Sequence, residues 1–210
     1  MIKVMVVDDH AILRRGLGQI IDEAGDMLVS AEAETGAQAV KLAREQALDV
    51  VLLDITLPDR NGLDTLKQLR KEKPRLAVLM LSMHPEETYG LRAIKAGASG
   101  YLNKQSAPQQ LVTAIRQVAG GRRYISPELA EMLAGTVADG VADTPHETLS
   151  NREYETMRGL ASGKTVSELA VEMHLSVKTV SVYRTRVLEK MNLKNNAQLT
   201  NYAVKNGLVD

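Results

Sequence analysis

The 210-residue chain contains no cysteine, which excludes a disulfide, a thiolate metal site and a cysteine nucleophile. It also lacks an apolar run of membrane-spanning length. The N-terminal apolar run, residues 2–7, contains Lys3 and stops at Asp8 and Asp9, which is not the pattern of a signal peptide. These absences fit a cytoplasmic protein without a membrane partner.

Neither sign of charge is in excess, since the chain has 26 basic and 26 acidic residues. Their distribution is uneven. Residues 149–210 carry nine Lys or Arg against six Asp or Glu, whereas residues 135–148 carry three acids and no Lys or Arg. A mildly basic tail beyond an acidic spacer is a weak indication of a polyanion partner for the tail only.

Short apolar runs alternate with helix-period segments through the first 120 residues. The runs span residues 2–7, 27–33, 50–53, 77–81 and 100–102. Several are apolar on both faces, as in a parallel sheet covered by helices. Five strands alternating with five helices predict an α/β fold, a flavodoxin-like doubly wound five-stranded parallel sheet with strand order 2-1-3-4-5.

Charged and hydroxyl side chains occur where the predicted strands end. Asp8 and Asp9 end the first strand, Asp54 the third and Ser82 the fourth, and Lys104 lies just past the fifth. All five positions fall at one edge of such a sheet. Clustered carboxylates repel one another, and a hard divalent cation such as Mg²⁺ relieves the repulsion. The set suits phosphoryl transfer to a carboxylate oxygen, with the metal and the lysine neutralising charge.

Each of these acids also has a simpler explanation. Asp is common after a strand as a helix N-cap or turn residue, and Asp9 is placed to cap the helix that contains Ile12 and Leu13. For any single acid we favour that explanation. Five such residues, each at the end of the appropriate strand, are much less expected by chance.

Several segments resemble those of a response-regulator receiver domain over about residues 1–120. They are VVDD (6–9), LLDITLPDRNG (52–62), MLS (80–82), AGASGYLNK (96–104) and the following Pro108. The resemblance implies that Asp54 accepts a phosphoryl group from a phosphohistidine of a sensor histidine kinase. It also implies a Mg²⁺ cofactor bound by Asp9, Asp54 and the Thr56 carbonyl, with Asp8 acting through water.

The same resemblance assigns three further roles. Ser82 and Lys104 would contact the phosphoryl group. Tyr101 would be the aromatic residue that swings inward on activation, with Ser82 as the other switch residue.

Residues 149–210 show no strand signal and four helix start signals instead. Capping boxes occur at 150–153 and 165–168, and Ser176 and Asn195 can cap two further helices. The turn at 174–175 separates two helices with helix-turn-helix spacing. Spacing alone does not exclude another kind of small helical bundle. Residues 134–148, rich in Gly, Ala, Asp and Thr, are predicted to be a linker.

A second resemblance covers this tail, through LSNREYETMRGLASGKTVSELAVEMHLSVKTVSVYRTRVLEKMNLKNNAQL. It is similar to the four-helix DNA-binding domain of the LuxR type, and a receiver followed by this domain resembles the NarL/FixJ transcription regulators. We therefore predict a receiver at 1–120, a short helix and linker at 121–148 and the DNA-binding domain at 149–210. The implied partners are a sensor histidine kinase, double-stranded promoter DNA and a second copy of the chain, with RNA polymerase a further candidate.

Helical periodicity divides the third helix of the tail into two faces. The predicted core face comprises Val177, Val180, Val187, Leu188 and Met191. The opposite face comprises Lys178, Ser181, Val182, Thr185 and Arg186. We assign Lys178 and Arg186 to phosphates. The resemblance places base contacts at Ser181, Val182 and Thr185.

Further residues of the third and fourth helices of the tail also have predicted roles. Thr179 is added to the DNA-contacting set. Arg184 falls near the core side, where we expect its long side chain to reach a phosphate, and Tyr183 is expected to pack. On the last helix, the resemblance implies a dimer contact at Thr200, Tyr202 and Val204, and Leu199 and Ala203 are placed to cover the bundle core.

Two other functions stay open. One is a Mg²⁺-dependent phosphohydrolase with Asp54 as nucleophile, but enzymes of the haloacid-dehalogenase type have a second acid two residues later, where Thr56 stands. The other is a regulator whose receiver only dimerises and is never phosphorylated. The complete set of residues at the strand ends argues against it.

Overall fold

A computed structural model describes residues 1–106, 108–138 and 144–209, with the backbone alone at 136–138. The chain forms two compact units, one ending at Ala138 and the other covering the rest. Among the described helices, none combines the length and the apolar character needed to cross a membrane. The domain boundaries given above stay a prediction.

The first unit is a parallel sheet covered by helices. Its strands are β1 (Ile2–Val7), β2 (Met27–Ala33), β3 (Val50–Asp54), β4 (Ala77–Ser82) and β5 (Gly100–Asn103). They pair in the order β2-β1-β3-β4-β5, so the predicted fold class and strand order are confirmed. Every residue of β3 and β4 is buried, because helices cover both faces.

Within the described residues, six helices belong to this unit. They are α1 (Ala11–Glu23), α2 (Gly36–Glu45), α3 (Gly62–Glu72), α4 (Glu86–Lys95), α5 (Pro108–Ala119) and α6 (Pro127–Ala138). The main core lies between the sheet and helices α1 and α5, where Leu17, Ile21, Leu111 and Ile115 pack on the apolar strands. Helix α6 runs through 134–138, so it is longer than the sequence predicts. The rest of the predicted linker up to 143 lies outside the described residues.

The segment after α5 returns to the sheet and then packs on α4. The Tyr124 amide donates a 2.8 Å hydrogen bond to the Ser99 carbonyl, beside β5. The Ser126 hydroxyl caps α6 and also contacts the Glu86 carboxylate at the start of α4. Leu129 is fully buried against Gly90, where an added Cβ would lie only 3.0 Å from its side chain. Helix α6 is therefore an integral part of the first unit.

In the second unit, the described residues form helices and no strand. Its elements are a 3-10 helix (Pro145–Thr148), α7 (Asn151–Ala161), α8 (Val166–Glu172), α9 (Val177–Lys190) and α10 (Asn196–Lys205). Both predicted capping boxes are present, at the starts of α7 and α8. Ser176 and Asn195 accept hydrogen bonds from backbone amides three residues on, so the caps of α9 and α10 are also confirmed.

The start of α7 is tied to the end of α9 through Glu153. Its carboxylate accepts hydrogen bonds from the Lys190 ammonium, 2.7 Å away, and from the Ser150 amide at 2.8 Å. Burial disfavours the charged form of Glu153, but these two donors outweigh it and hold its pKa below the usual range. The ionised form of Glu153 therefore stabilises the folded unit.

Candidate functional site

The carboxyl edge of the sheet gathers the predicted acids and the lysine. Strands β1 and β3 are neighbours, so Asp8, just past β1, comes close to Asp54 at the end of β3. The Lys104 ammonium lies 2.5 Å from Asp54 Oδ2 and 2.6 Å from Asp8 Oδ2. All three side chains are nearly inaccessible to solvent. The structure thus forms a buried cluster of two carboxylates and one ammonium, with Asp9 at its rim.

Burial and neighbouring charges shift the pKa values of Asp54 and Lys104. Desolvation raises the pKa of Asp54 to about 6, against the opposing effect of Lys104, because a carboxylate loses hydration inside the protein. Burial also disfavours the charge on Lys104, but the carboxylates of Asp54 and Asp8 outweigh it and keep its pKa above the usual range. The lysine therefore stays positively charged beside the acids.

The oxygen atoms at the rim fit a divalent cation. One ligand atom from each of Asp8, Asp9, His10 and Asp54 lies within 4.8 Å of the others. Asp8 Oδ2 and Asp9 Oδ1 are buried and make no hydrogen bond of good geometry, although both lie close to a cationic or imidazole nitrogen. Buried carboxylate oxygens of this kind are what a hard cation binds.

His10 belongs to this group of ligand atoms, and the sequence analysis did not select it. Its Nδ1 lies 3.1 Å from Asp8 Oδ1 and 2.8 Å from Asp9 Oδ1. The signal available in the sequence was its position directly after the two acids. His10 is also the N-cap residue of α1, and its side chain makes no capping bond. The alternative in which Asp9 caps this helix is therefore wrong.

The loop after β3 closes tightly onto Asp54. The Thr56 amide donates to Asp54 Oδ1 at 3.2 Å, and Thr56 forms an isolated bridge with Asn61. The Gly62 amide donates to the Ile55 carbonyl at 2.7 Å. A Cβ at Gly62 would lie 1.9 Å from the Asp54 carbonyl oxygen and 2.8 Å from Ile55 Cα, so only glycine fits there. The loop therefore holds both the side chain and the backbone of Asp54.

Ser82 and Tyr101 both hold the turn between β4 and α4. Ser82 lies one residue beyond Leu81, the register partner of Asp54. Its buried hydroxyl accepts a 3.0 Å hydrogen bond from the His84 amide. The Tyr101 side chain is fully buried, and its hydroxyl donates to the His84 carbonyl at 2.8 Å. The backbone of His84 is thus bound from two sides, and Tyr101 has the inward orientation in this structure.

In the second unit, α8 and α9 form the predicted helix-turn-helix. His174 adopts a positive φ of 53° in the turn, and the Leu175 amide donates to the Ala170 carbonyl. Within α9, Val180 and Val187 are fully buried, as predicted. The opposite face is exposed and comprises Lys178, Ser181, Val182, Thr185 and Arg186. Thr179 is half-buried, and its amide donates to the Ser176 hydroxyl.

One residue of the predicted core face is misplaced. Val177 is 50% exposed, whereas Val180, one turn later, is fully buried. Val177 is the first residue of α9, so it lies at the end of the packed surface even though its helical angle matches the core face. Its assignment to the core is wrong. Leu188 is half-buried and Met191 is buried.

Arg184 contacts the last helix, and the residues predicted to form the dimer contact on that helix differ in exposure. Arg184 Nε donates a 2.8 Å hydrogen bond to Asn196 Oδ1, which joins α9 to α10. Tyr183 is half-buried. The Tyr202 hydroxyl lies 2.8 Å from His146 Nδ1, while Val204 is exposed. Thr200 is half-buried, and the predicted burial of Leu199 and Ala203 is confirmed.

Comparisons with known proteins match both parts of the chain. Residues 4–116 match the family model of the response regulator receiver domain, and residues 147–203 match that of the bacterial regulatory proteins of the luxR family. The response regulator UvrY of Escherichia coli is 36% identical over 209 residues, which is 99% of this chain and 96% of UvrY. The response regulator GacA of Pseudomonas aeruginosa is 36% identical over 211 residues, covering 100% and 99% of the two chains.

A solved structure agrees over nearly the whole length. The RcsB response regulator of Salmonella typhimurium, described for its interaction with DNA, superposes with a TM-score of 0.58 at 25% identity. The match covers 97% of this chain and 98% of that one.

Proposed function

We propose a phosphorylation-controlled mechanism from the premise that this chain belongs to the two-component response regulators with a LuxR-type DNA-binding domain. The family consists of transcription regulators. In the proposed mechanism, Asp54 accepts a phosphoryl group from a sensor histidine kinase. The modified first unit then changes dimerisation and promoter binding by the second.

One observation carries this proposal. Asp54 lies beside a second buried carboxylate and in direct contact with the Lys104 ammonium, at the carboxyl edge of the sheet. The cluster sets the carboxylates of Asp8 and Asp54, with Asp9 at its rim, against the single Lys104 ammonium, so its negative charge is not fully compensated. Such an arrangement has a place for a cation and for an incoming anionic group.

The transfer itself uses the groups present. An Asp54 carboxylate oxygen attacks phosphorus in line, the new O–P bond forms, and the N–P bond to the kinase imidazole breaks with the electron pair leaving on nitrogen. Lys104 neutralises charge on the phosphoryl oxygens, and the Ser82 hydroxyl hydrogen-bonds one of them. We propose Asp8, Asp9, Asp54 and the Thr56 carbonyl as the residues that hold Mg²⁺, which supplies charge neutralisation.

Labelling with a small phosphodonor tests the assignment of Asp54. The full chain is incubated with acetyl phosphate and Mg²⁺, and the phosphorylated fraction is measured by intact-mass spectrometry. Asp54→Asn should abolish labelling. Asp49→Asn is the matched control, because Asp49 is an exposed acid at the opposite end of the same strand. Full labelling of Asp54→Asn would contradict the assignment.

The exposed face of α9 supports a major-groove role for the second unit. We propose that Lys178, Arg184 and Arg186 contact phosphates and that Ser181, Val182 and Thr185 contact base edges, with Thr179 near the backbone. Arg184 would then contact DNA with nitrogens other than the Nε that binds Asn196.

Two variants separate these roles. Lys178→Ala should weaken binding on all sequences and lower the salt slope of log K by about 1, whereas Val182→Ala should change site preference. Lys41→Ala, at an exposed position on α2 of the first unit, is the charge-matched control. Binding is measured by fluorescence anisotropy against a selected site and a scrambled duplex. Unchanged binding in both α9 variants would refute the groove assignment.

The remaining partners follow from the same mechanism. We propose a homodimer that contacts itself through α10, where Val204 is exposed, so that two subunits read two half-sites. RNA polymerase is a further candidate partner at the promoter. Because bacterial promoters lie in the cytoplasm, the proposal places the protein there. The chain accepts one phosphoryl group and is not a turnover enzyme, so sustained hydrolysis of a phosphoester would contradict it.

A further inference from the structure

Arg14 is buried although arginine is among the residues most rarely found inside proteins. It lies in the second turn of α1, and its side chain is only 9% exposed. Three hydrogen bonds hold its guanidinium: Nη1 donates to the Asp8 carbonyl at 2.7 Å, Nη2 to Glu34 at 2.7 Å and Nε to Glu32 at 3.1 Å. The Arg14 guanidinium therefore connects the turn after β1, which contains Asp8 and Asp9, with the end of β2.

The backbone of Asp8 is also held at the end of β2 by a hydrogen bond of its own. The Asp8 amide donates to the Ala33 carbonyl at 3.1 Å, so the end of β1 is already joined to the end of β2. The Asp8 side chain is held separately, because its Oδ1 accepts the His10 amide at 2.8 Å. The carbonyl of Asp8, and with it the peptide plane leading to Asp9, is held by Arg14 Nη1.

We propose that Arg14 is a positioning residue for the metal at the phosphorylation site. By holding the Asp8 carbonyl, it fixes the rigid peptide plane between Asp8 and Asp9 and so sets where the Asp9 carboxylate points. Asp9 needs this support, because it is the rim acid and is more exposed than Asp8 or Asp54. The inference rests on the proposed function, in which Asp9 is a metal ligand.

The action of Arg14 is geometric and not electrostatic. Its positive charge is paired with the carboxylates of Glu32 and Glu34, so little net charge acts on the neighbouring acids. A lysine ammonium cannot replace the planar guanidinium, which donates hydrogen bonds to three acceptors at once. Groups that orient metal ligands in this way typically change metal affinity by about 10–100-fold when they are removed.

Isothermal titration calorimetry of the full chain with Mg²⁺ tests the proposal. Arg14→Lys and Arg14→Gln should raise the Mg²⁺ dissociation constant about tenfold. Arg15→Lys is the matched control, since Arg15 is the exposed neighbour on the same helix, and its constant should equal that of the unaltered protein. Glu34→Gln keeps an acceptor for Nη2 but removes a charge, so it should also leave the constant unchanged.

Labelling by acetyl phosphate gives a second readout that a folding defect would not reproduce. At low Mg²⁺ the Arg14 variants should be labelled about tenfold more slowly, and saturating Mg²⁺ should restore the rate, because only metal affinity is lowered. A dissociation constant within about twofold of the unaltered protein would overturn the inference, as would a tenfold change in Glu34→Gln alone. If the unaltered protein neither binds Mg²⁺ nor becomes labelled, the proposed function fails instead.

Discussion

Replacing Gly62 with alanine tests whether the loop after β3 is as tightly closed as the structure shows. The added methyl group would lie 1.9 Å from the Asp54 carbonyl oxygen and 2.8 Å from Ile55 Cα. Both are backbone atoms, so no side-chain rotation can relieve the overlap. The loop must open, and the hydrogen bond between the Gly62 amide and the Ile55 carbonyl is strained or lost.

The expected cost follows from these contacts. Overpacking of a tight site costs up to about 3 kcal/mol, and a lost hydrogen bond adds about 1 kcal/mol. Gly62 is the first residue of α3, so the helix-interior advantage of alanine over glycine does not offset this cost. The net loss of unfolding free energy is about 4 kcal/mol, which lowers the melting temperature of a domain of this size by about 12 °C.

Differential scanning calorimetry of the full chain measures this loss. Mg²⁺ assigns the transition of the first unit, because it raises only the melting temperature of the unit that binds it. Gly16→Ala is the control: Gly16 is helical and exposed, and a Cβ there meets no atom within 4 Å. It should gain about 0.5–1 kcal/mol. A Gly62→Ala variant as stable as the unaltered protein would refute the close approach of Gly62 to the Asp54 and Ile55 backbone. If the variant is destabilised as expected, its labelling by acetyl phosphate should also decrease.

Three smaller changes test other contacts. Because the pKa of Glu153 is lowered on folding, its contribution to stability is present above its ordinary value of 4.5 and is lost as the pH falls through the lower folded value. In urea titrations, Glu153→Gln should make the unfolding free energy less dependent on pH in this range. Lys190→Met, which removes the same ion pair, should have the same effect. Tyr101→Phe removes the bond to the His84 carbonyl and should cost about 1 kcal/mol in thermal unfolding. Ser176→Ala removes the cap of α9 and should lower the stability of the second unit by about 1 kcal/mol, seen in the transition that Mg²⁺ does not shift.

Local patterns in the sequence are enough to predict most of the fold. Apolar runs of strand length and capping signals depend on neighbours along the chain, so the five strands and the caps of α7 and α8 follow from them. The strand order is non-local and is predicted through the flavodoxin-like fold class that the alternating elements indicate. The ends of two strands are also confirmed, since Asp54 and Ser82 are the last residues of β3 and β4. The end of β1 is less well predicted, because the strand stops at Val7, before Asp8 and Asp9.

Residues that depend on a distant partner are not predictable in this way. Helical periodicity gives the angle of Val177 but not the point along α9 where its packing partners end, which is why Val177 is exposed. Arg14 is buried because two glutamates of another segment and a backbone carbonyl accept its hydrogen bonds. Arg184 likewise finds Asn196 on α10. The exposure of Val177 and the contacts of both arginines are determined only in the folded unit, by residues distant along the chain.

The buried tyrosine at the turn after β4 has an optical consequence. The chain contains six tyrosines and neither tryptophan nor phenylalanine, so its near-ultraviolet absorption, circular dichroism and emission all arise from tyrosine. The Tyr101 phenol is hydrogen-bonded to the His84 carbonyl, in the turn whose backbone Ser82 also holds. The difference spectrum between this protein and Tyr101→Phe therefore isolates the signal of the Tyr101 phenol, so the conformation of that turn can be followed in solution without an attached dye.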